Sequence, residues 1–327
     1  MINNMVIKKL ALVLTTLLIA NTTWAESYSK EEKTTNFIVT PSVAYRYDVF
    51  KYSIPDDKFI NKKLSELTWK NYIIQPSIKI ETEPQPNQFT FLAQTKYSYI
   101  LKNHSESWDR DWHIHQQKSG NLKSTPDSKT LSSVKGNILD LSGAVGYSFN
   151  LPKNSLLTFY VGYDYSDYRN KNYGARQLVD QNDIVIPFDQ LFQKYNFKTQ
   201  SPWIGLSVKS NLNDKFSIIP TIKLYSFKYV GKGYWLLRDD LKQDPSIKHN
   251  ARGKGLGFDV DFIYKYSNNL DFKVNLETKY FKMKKGTKSM FFAADPVFNE
   301  PEKVGNSKLL NLLLISSSIS GGVRYKF

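Results

Sequence analysis

The sequence predicts an all-β chain, a ten-stranded antiparallel transmembrane β-barrel of the bacterial outer membrane. Three observations lead there. Segments in which apolar and polar side chains alternate strictly recur along the chain, their connections switch between short turns and long polar loops, and the chain ends on "ISGGVRYKF". Alternation with period two marks a strand with one oily and one wet face. An even number of such strands, with short turns at one end and long loops at the other, is the pattern of outer-membrane barrels. Closure then gives each backbone N–H and C=O a partner without exposing an edge to lipid. A β-sandwich would also bury an apolar face, but it leaves the aromatic last residue unexplained.

Residues 1–25 carry Lys8 and Lys9, an apolar run from Leu10 to Ala20, and small residues at Thr23 and Ala25. This reads as a secretory signal cleaved after Ala25, since the run is shorter than the roughly 20 residues of a spanning helix. Residues 26–327 then form a single barrel domain, with Glu26 to Thr35 as a polar lead-in. The strands follow as Phe37–Tyr52, Trp69–Thr82, Phe89–Leu101, Ile138–Phe149, Leu156–Ser166, Tyr195–Lys209, Phe216–Tyr229, Phe258–Tyr266, Leu270–Tyr280 and Leu313–Phe327. In "FDVDFIYKY", for example, Phe258, Val260, Phe262 and Tyr264 share one face, and Asp259, Asp261 and Lys265 the other. Short turns at "EPQPN", "LPKN", "NLND" and "SNN" join four pairs of strands. Both termini are expected in the periplasm and the five long loops outside the cell. The final strand, ending on Phe327, looks like the signal read by the barrel-assembly machinery.

Composition narrows the classes further. With no cysteine, this exported chain does not rely on disulfides. Its 21 tyrosines and 20 phenylalanines suit strands and membrane interfaces. A net charge of +15, two units of which leave with the signal, attracts anionic surfaces; export argues against nucleic acid. Tyr97, Tyr99, Tyr147, Phe149, Tyr163 and Tyr165 are expected in the interfacial girdles. Ten strands enclose a narrow lumen, so the inward charges Asp140, Asp164, Lys223, Asp259, Lys265 and Glu277 are expected to pair and largely fill it. Arg169, Lys171 and Arg176 fall at the extracellular rim, where basic groups favour the phosphates of lipid A. There is no zinc-site spacing, phosphate loop or Gly-x-Ser-x-Gly, and no cofactor is expected.

One motif points to chemistry. "SESWDRDWHIHQ" (Ser105 to Gln116) puts Asp109 and Asp111 two apart, hence on one strand face, where close carboxylates raise each other's proton affinity and can hold a water. The same residues also suit a solvated loop edge. "WDRDW", "KLSELTWK" (Lys63 to Lys70), "STPDSKTL" (Ser124 to Leu131), "SPWIGL" (Ser201 to Leu206) and the terminal "RYKF" together resemble the omptins, ten-stranded outer-membrane proteases. The resemblance covers nearly all of the chain after the signal in strand order, and is specific at these short motifs. It implies a catalytic aspartate pair at Asp109 and Asp111, facing an Asp-His dyad on the fourth extracellular loop. There Asp240 falls on the dyad aspartate, but Lys242 falls on the histidine. Arg238 replaces an acid of the pocket for a basic substrate side chain, and Asp48, facing inward near the top of strand one, could supply the pocket's other acid. The resemblance also implies lipopolysaccharide as a requirement for folding or activity.

A lysine among three carboxylates is a salt-bridge partner and not a base. His249, His113 and His115 are the substitute bases on offer. Three readings follow: a surface-exposed binding or adhesion barrel that has lost the dyad and meets host or other extracellular proteins, an endopeptidase with an altered base and specificity, and a narrow channel.

Overall fold

The computed structural model describes residues 37–55, 62–116, 122–152, 155–179, 185–295 and 300–327. The expected signal and lead-in lie outside them. Twelve antiparallel strands form one sheet: β1 (Phe37–Pro55), β2 (Lys63–Thr82), β3 (Phe89–Ile100), β4 (Glu106–Gln116), β5 (Leu122–Leu151), β6 (Ser155–Val179), β7 (Val185–Asn211), β8 (Phe216–Trp235), β9 (Ile247–Lys265), β10 (Leu270–Phe292), β11 (Lys303–Leu309) and β12 (Asn311–Lys326). β1 pairs with both β2 and β12, so the sheet closes on itself. β3 and β4 run in succession along the same two neighbours, β2 and β5, and are halves of one strand broken at residues 101–105. β11 and β12 likewise follow one another along β10, broken at Leu310, whose N–H donates to the Ser53 carbonyl at 3.0 Å. The ring therefore has the ten strands that the alternation predicts.

The strands outrun the alternation that announces them. β5 alone has 30 residues and takes in Ser124 to Leu131, and β4 holds both aspartates, where polar loops were expected. Beyond the bilayer both strand faces are wet, so period-two patterning fades while backbone pairing continues. Within the band, Val43, Ile78, Phe159, Val161, Ile204, Leu224, Phe258 and Val274 point outward and are exposed, as lipid contact requires. The girdle residues Tyr97, Tyr99, Phe149 and Tyr163 are outward and exposed with them.

The lumen has two parts. Towards the short turns it holds ion pairs: Arg46 with Asp140 (2.6 Å), Lys279 with Asp164 (3.0 Å) and Glu277 (3.0 Å), and Lys223 with Asp259 (2.8 Å). Lys265 departs from the expected lumen set and lies exposed at the periplasmic end, where its strand finishes. Towards the outside the filling becomes aromatic. Phe50 stacks on Phe197 at 4.4 Å, Phe197 on Tyr168 at 4.2 Å, and Trp69 on Tyr195 at 4.9 Å, with Tyr229 beside Phe50 and Phe227 on Phe281. Glycine lets rings from neighbouring strands lie flat on the wall: a Cβ at Gly255 would stand 2.3 Å from the Phe281 ring.

Candidate functional site

Above the aromatic layer a cleft of about 450 Å³ opens at the loop end of the barrel. Tyr52, Ile54, Ser65 and Leu67 line it from β1 and β2, and Asp109, Asp111, Trp112 and His113 from β4. Asp127, Trp235, Arg238, Leu241, Ile247, Lys288 and Met290 complete the wall. Pairing in β4 sets Asp109 opposite Leu67 and Thr130, and Asp111 opposite Ser65 and Ser128, so both carboxylates face inward. Beyond Asp111, one residue of β5, Asp127, has no partner across the ladder. This bulge twists the hairpin and brings a third carboxylate to the cleft.

The Ser128 hydroxyl donates to Asp111 at 2.8 Å, while the buried Asp109 Oδ1 has no hydrogen-bond partner. Burial, then the neighbouring Asp111, pushes Asp109 up to about 7 from its ordinary 3.8; the Arg110 amide and Lys288 oppose the shift. Near neutrality Asp109 therefore exchanges its proton, which fits it to take up or release one at the cleft floor. The buried hydroxyl of Tyr52 also lacks a partner, and burial followed by Tyr195, Asp109 and Asp111 raises its proton affinity.

The predicted site residues are only partly brought together. Asp109, Asp111, His113 and Arg238 line the cleft; Asp240, Lys242, Asp48 and His249 are not among its lining residues. Arg238 grips Asp240 through two hydrogen bonds of 2.6 and 2.5 Å, and Lys242 pairs with Glu302. The expected cluster of three carboxylates around Lys242 is thus not formed, because the Lys242 N–H is tied to the Phe291 carbonyl and its side chain meets the β11 side of the mouth. Arg238 holds Asp240 below the usual carboxylate range.

Asp48 faces inward as expected but is 0% exposed, with both oxygens on Arg46 and the Tyr168 hydroxyl at 3.0 Å. It is closed to a substrate side chain. His249, also 0% exposed, lies in the aromatic layer, its Nδ1 2.6 Å from the Tyr195 hydroxyl and its ring edge-on to Tyr52 at 4.6 Å. Burial, then Lys288, lowers it to about 3, so it stays neutral and is a weak base. The side chain of His115 lies outside the described residues. Arg169 leans on Asp167 at 3.2 Å, and Lys171 and Arg176 are exposed on the outer face. Among the described residues no group of His, Cys, Asp and Glu could hold a metal ion.

Sequence reasoning missed Tyr52, Trp235 and Lys288. Lys288 has a specific reason: β10 carries an extra residue between Lys282 and Lys285, so the inward face passes from odd to even numbers. Counting by twos from Lys279 would have turned Lys288 outward.

The outer membrane protease OmpT from Escherichia coli is similar in structure, with a TM-score of 0.71 over 91% of this chain and 99% of that one at 15% identity. The translocator domain of the autotransporter NalP from Neisseria meningitidis follows at a TM-score of 0.41 and 7% identity, covering 97% and 98%. The outer membrane protein OprG from Pseudomonas aeruginosa gives 0.36 and 11%, covering 90% and 96%. No curated protein matches the sequence. The family described as Protochlamydia outer membrane protein matches residues 41–327.

Proposed function

Since the chain belongs to the Protochlamydia outer membrane protein family, we propose that it works at the cell surface as a binding or adhesion barrel, taking an extracellular ligand into the cleft and not passing it through the lumen. The observation that carries this reading is the aromatic layer beneath the cleft, in which Phe50, Trp69, Tyr195, Phe197 and Tyr229 are each at most 1% exposed. Such a layer leaves a hydrated solute no room to keep its water shell. Planar bilayers holding the purified barrel should stay electrically silent. Steady conductance of the wild type would replace this reading with a second one, a narrow gated passage. What favours that second reading is the polar cavity of about 110 Å³ in the lumen below, lined by Lys79, Lys96, Lys223 and Glu277. In that case Phe50→Ala with Phe197→Ala should raise the conductance.

The endopeptidase reading is supported by the carboxylate pair, since a base with its midpoint near 7 is poised for proton transfer. Against it stand the ion pairs of Asp240 and Lys242 and the neutral His249. Peptides with paired basic residues should stay intact, with or without lipopolysaccharide. Cleavage that Asp109→Ala abolishes would establish a hydrolase instead.

Phosphorylated lipid A is the proposed membrane partner of Arg169 and Lys171, through charge-assisted hydrogen bonds, while Arg176 sits higher, level with Trp108. Lipid A affinity should fall as salt rises. The proposed assembly partner is the barrel-assembly machinery, read through Phe327, and Phe327→Ala should slow insertion.

A further inference from the structure

The outer face of β2, β4 and β5, behind the cleft wall, carries an ordered group of cations. Around the Trp108 ring stand Lys129 Nζ at 4.6 Å from the centroid, Arg110 Cζ at 5.4 Å and Lys70 Nζ at 6.0 Å. The indole N–H donates to Glu106 at 2.8 Å, and the same carboxylate oxygen takes Lys70 at 2.8 Å. One step further out, Glu66 has a side chain only 2% exposed and gathers Lys63 at 2.5 Å, Lys51 at 2.9 Å and Arg110 at 3.7 Å. Register adds Arg176, which pairs with Leu131, itself the partner of Trp108. Six cations thus share a face with two carboxylates. Burial alone would raise Glu66, but hydrogen bonds from Lys63 and Lys51 hold it below its ordinary range, so it stays charged and keeps the group together.

Height identifies the partner. Tyr72 is the outermost aromatic on the outer face of β2; Thr68, which pairs with Trp108, and Glu66, which pairs with Arg110, lie four and six residues beyond it. At about 3.3 Å per residue and a tilt near 45°, the group stands roughly 9 to 14 Å above the girdle, clear of lipid phosphates. Lys63, Lys70 and Arg110 remain 38–41% exposed, open to an external anion.

We propose that this face binds a polyanionic glycan, a sulfated or carboxylated polysaccharide presented outside the cell. A flexible chain with repeated anionic groups can satisfy several fixed cations at once, each through a charge-assisted hydrogen bond. Nucleic acid fits less well, because cations already stand over the Trp108 ring and leave no free platform for a base. The inference deepens the adhesion reading but uses a surface other than the cleft, so each can fail alone.

The test uses the full barrel in nanodiscs of neutral lipid, with heparin as the probe. Wild type should be retained on heparin and elute as salt rises. Arg110→Gln with Lys129→Gln should weaken heparin binding by at least about 10-fold. The control, Lys228→Gln with Arg252→Gln, removes the same charge from an exposed cross-strand pair on β8 and β9 and should leave binding within about twofold. Equal losses in the two double variants would mean diffuse attraction and overturn the site, as would preference for single-stranded DNA over heparin. Lys129→Gln alone, which leaves Glu66 its three cations, serves if the double variant does not fold. Asp109→Asn should leave heparin binding unchanged while testing the cleft.

Discussion

The lumen and the cleft treat carboxylates in opposite ways. In the lumen Asp48, Asp140, Asp164, Asp259, Asp261, Asp271 and Glu277 each have a cation within 3.0 Å. In the cleft Asp111 accepts from the Ser128 hydroxyl, and among the described residues one oxygen of Asp109 has no hydrogen bond, with Lys288 the charge that opposes its protonation. The chain has cations to spare, with 45 lysines and arginines against 30 acids. The weaker compensation of Asp109 is therefore not forced by composition. Buried acids that fill the lumen are thus neutralised by cations, whereas the pair that borders the open cavity holds Asp109 at a raised proton affinity.

The largest test breaks the lumen side. Arg46→Ala leaves Asp48 and Asp140 without their guanidinium, and removing one partner of a buried pair costs about 3–5 kcal/mol. The urea midpoint of the refolded barrel should drop accordingly, or the slow-migrating folded band on unboiled gels should disappear. An unchanged midpoint would show that water already compensates these acids.

Asp109→Asn sharpens the cleft side. A carboxyl held at about 7 when folded and near 3.8 when unfolded keeps its proton in the folded state while the unfolded chain loses it, so stability falls as pH rises through that window. The penalty is absent below about 4, complete above about 7, and at most about 4 kcal/mol. The variant should match wild type at pH 4 and exceed it at pH 8; equal stabilities at both would remove the case for a weakly compensated carboxylate. Asp111→Asn acts indirectly and less. Without its neighbour's charge, the midpoint of Asp109 should move down, though burial still holds it above the ordinary value, a shift visible in carboxyl carbon NMR. Smallest of all, Tyr195→Phe removes the hydroxyl that meets His249 and Tyr229 and should cost about 1 kcal/mol. A much larger loss would indicate that the layer is held by its polar contacts more than by ring packing.

What the sequence disclosed follows the solvent. Where lipid faces one side and ion pairs the other, as in Phe258 to Tyr264, alternation announces each strand, and ring size and lumen filling can be read from it. Above the membrane the contrast between faces is lost, so the outer reaches of β4 and β5 read as loop. The aspartate pair was legible from its spacing of two. The opposing wall was not, since the bulge in β10 reverses the face of Lys288 and the fourth-loop charges find partners on neighbouring segments. Asp48 was correctly turned inward, but its pairing with Arg46 depends on side-chain reach along one strand, which a pattern of faces does not encode.

The seam between β1 and β12 also closes the last open edges. The first and last strands of the chain are hydrogen-bonded to each other along almost their whole length, down to the Phe327 N–H on the Phe37 carbonyl at 2.9 Å. Until the final residues arrive, both ends of the sheet are open, and contacts such as Lys96 with Glu277, 181 residues apart, have nothing to hold. A barrel without β12 would keep two unpaired strand edges, each in search of a partner.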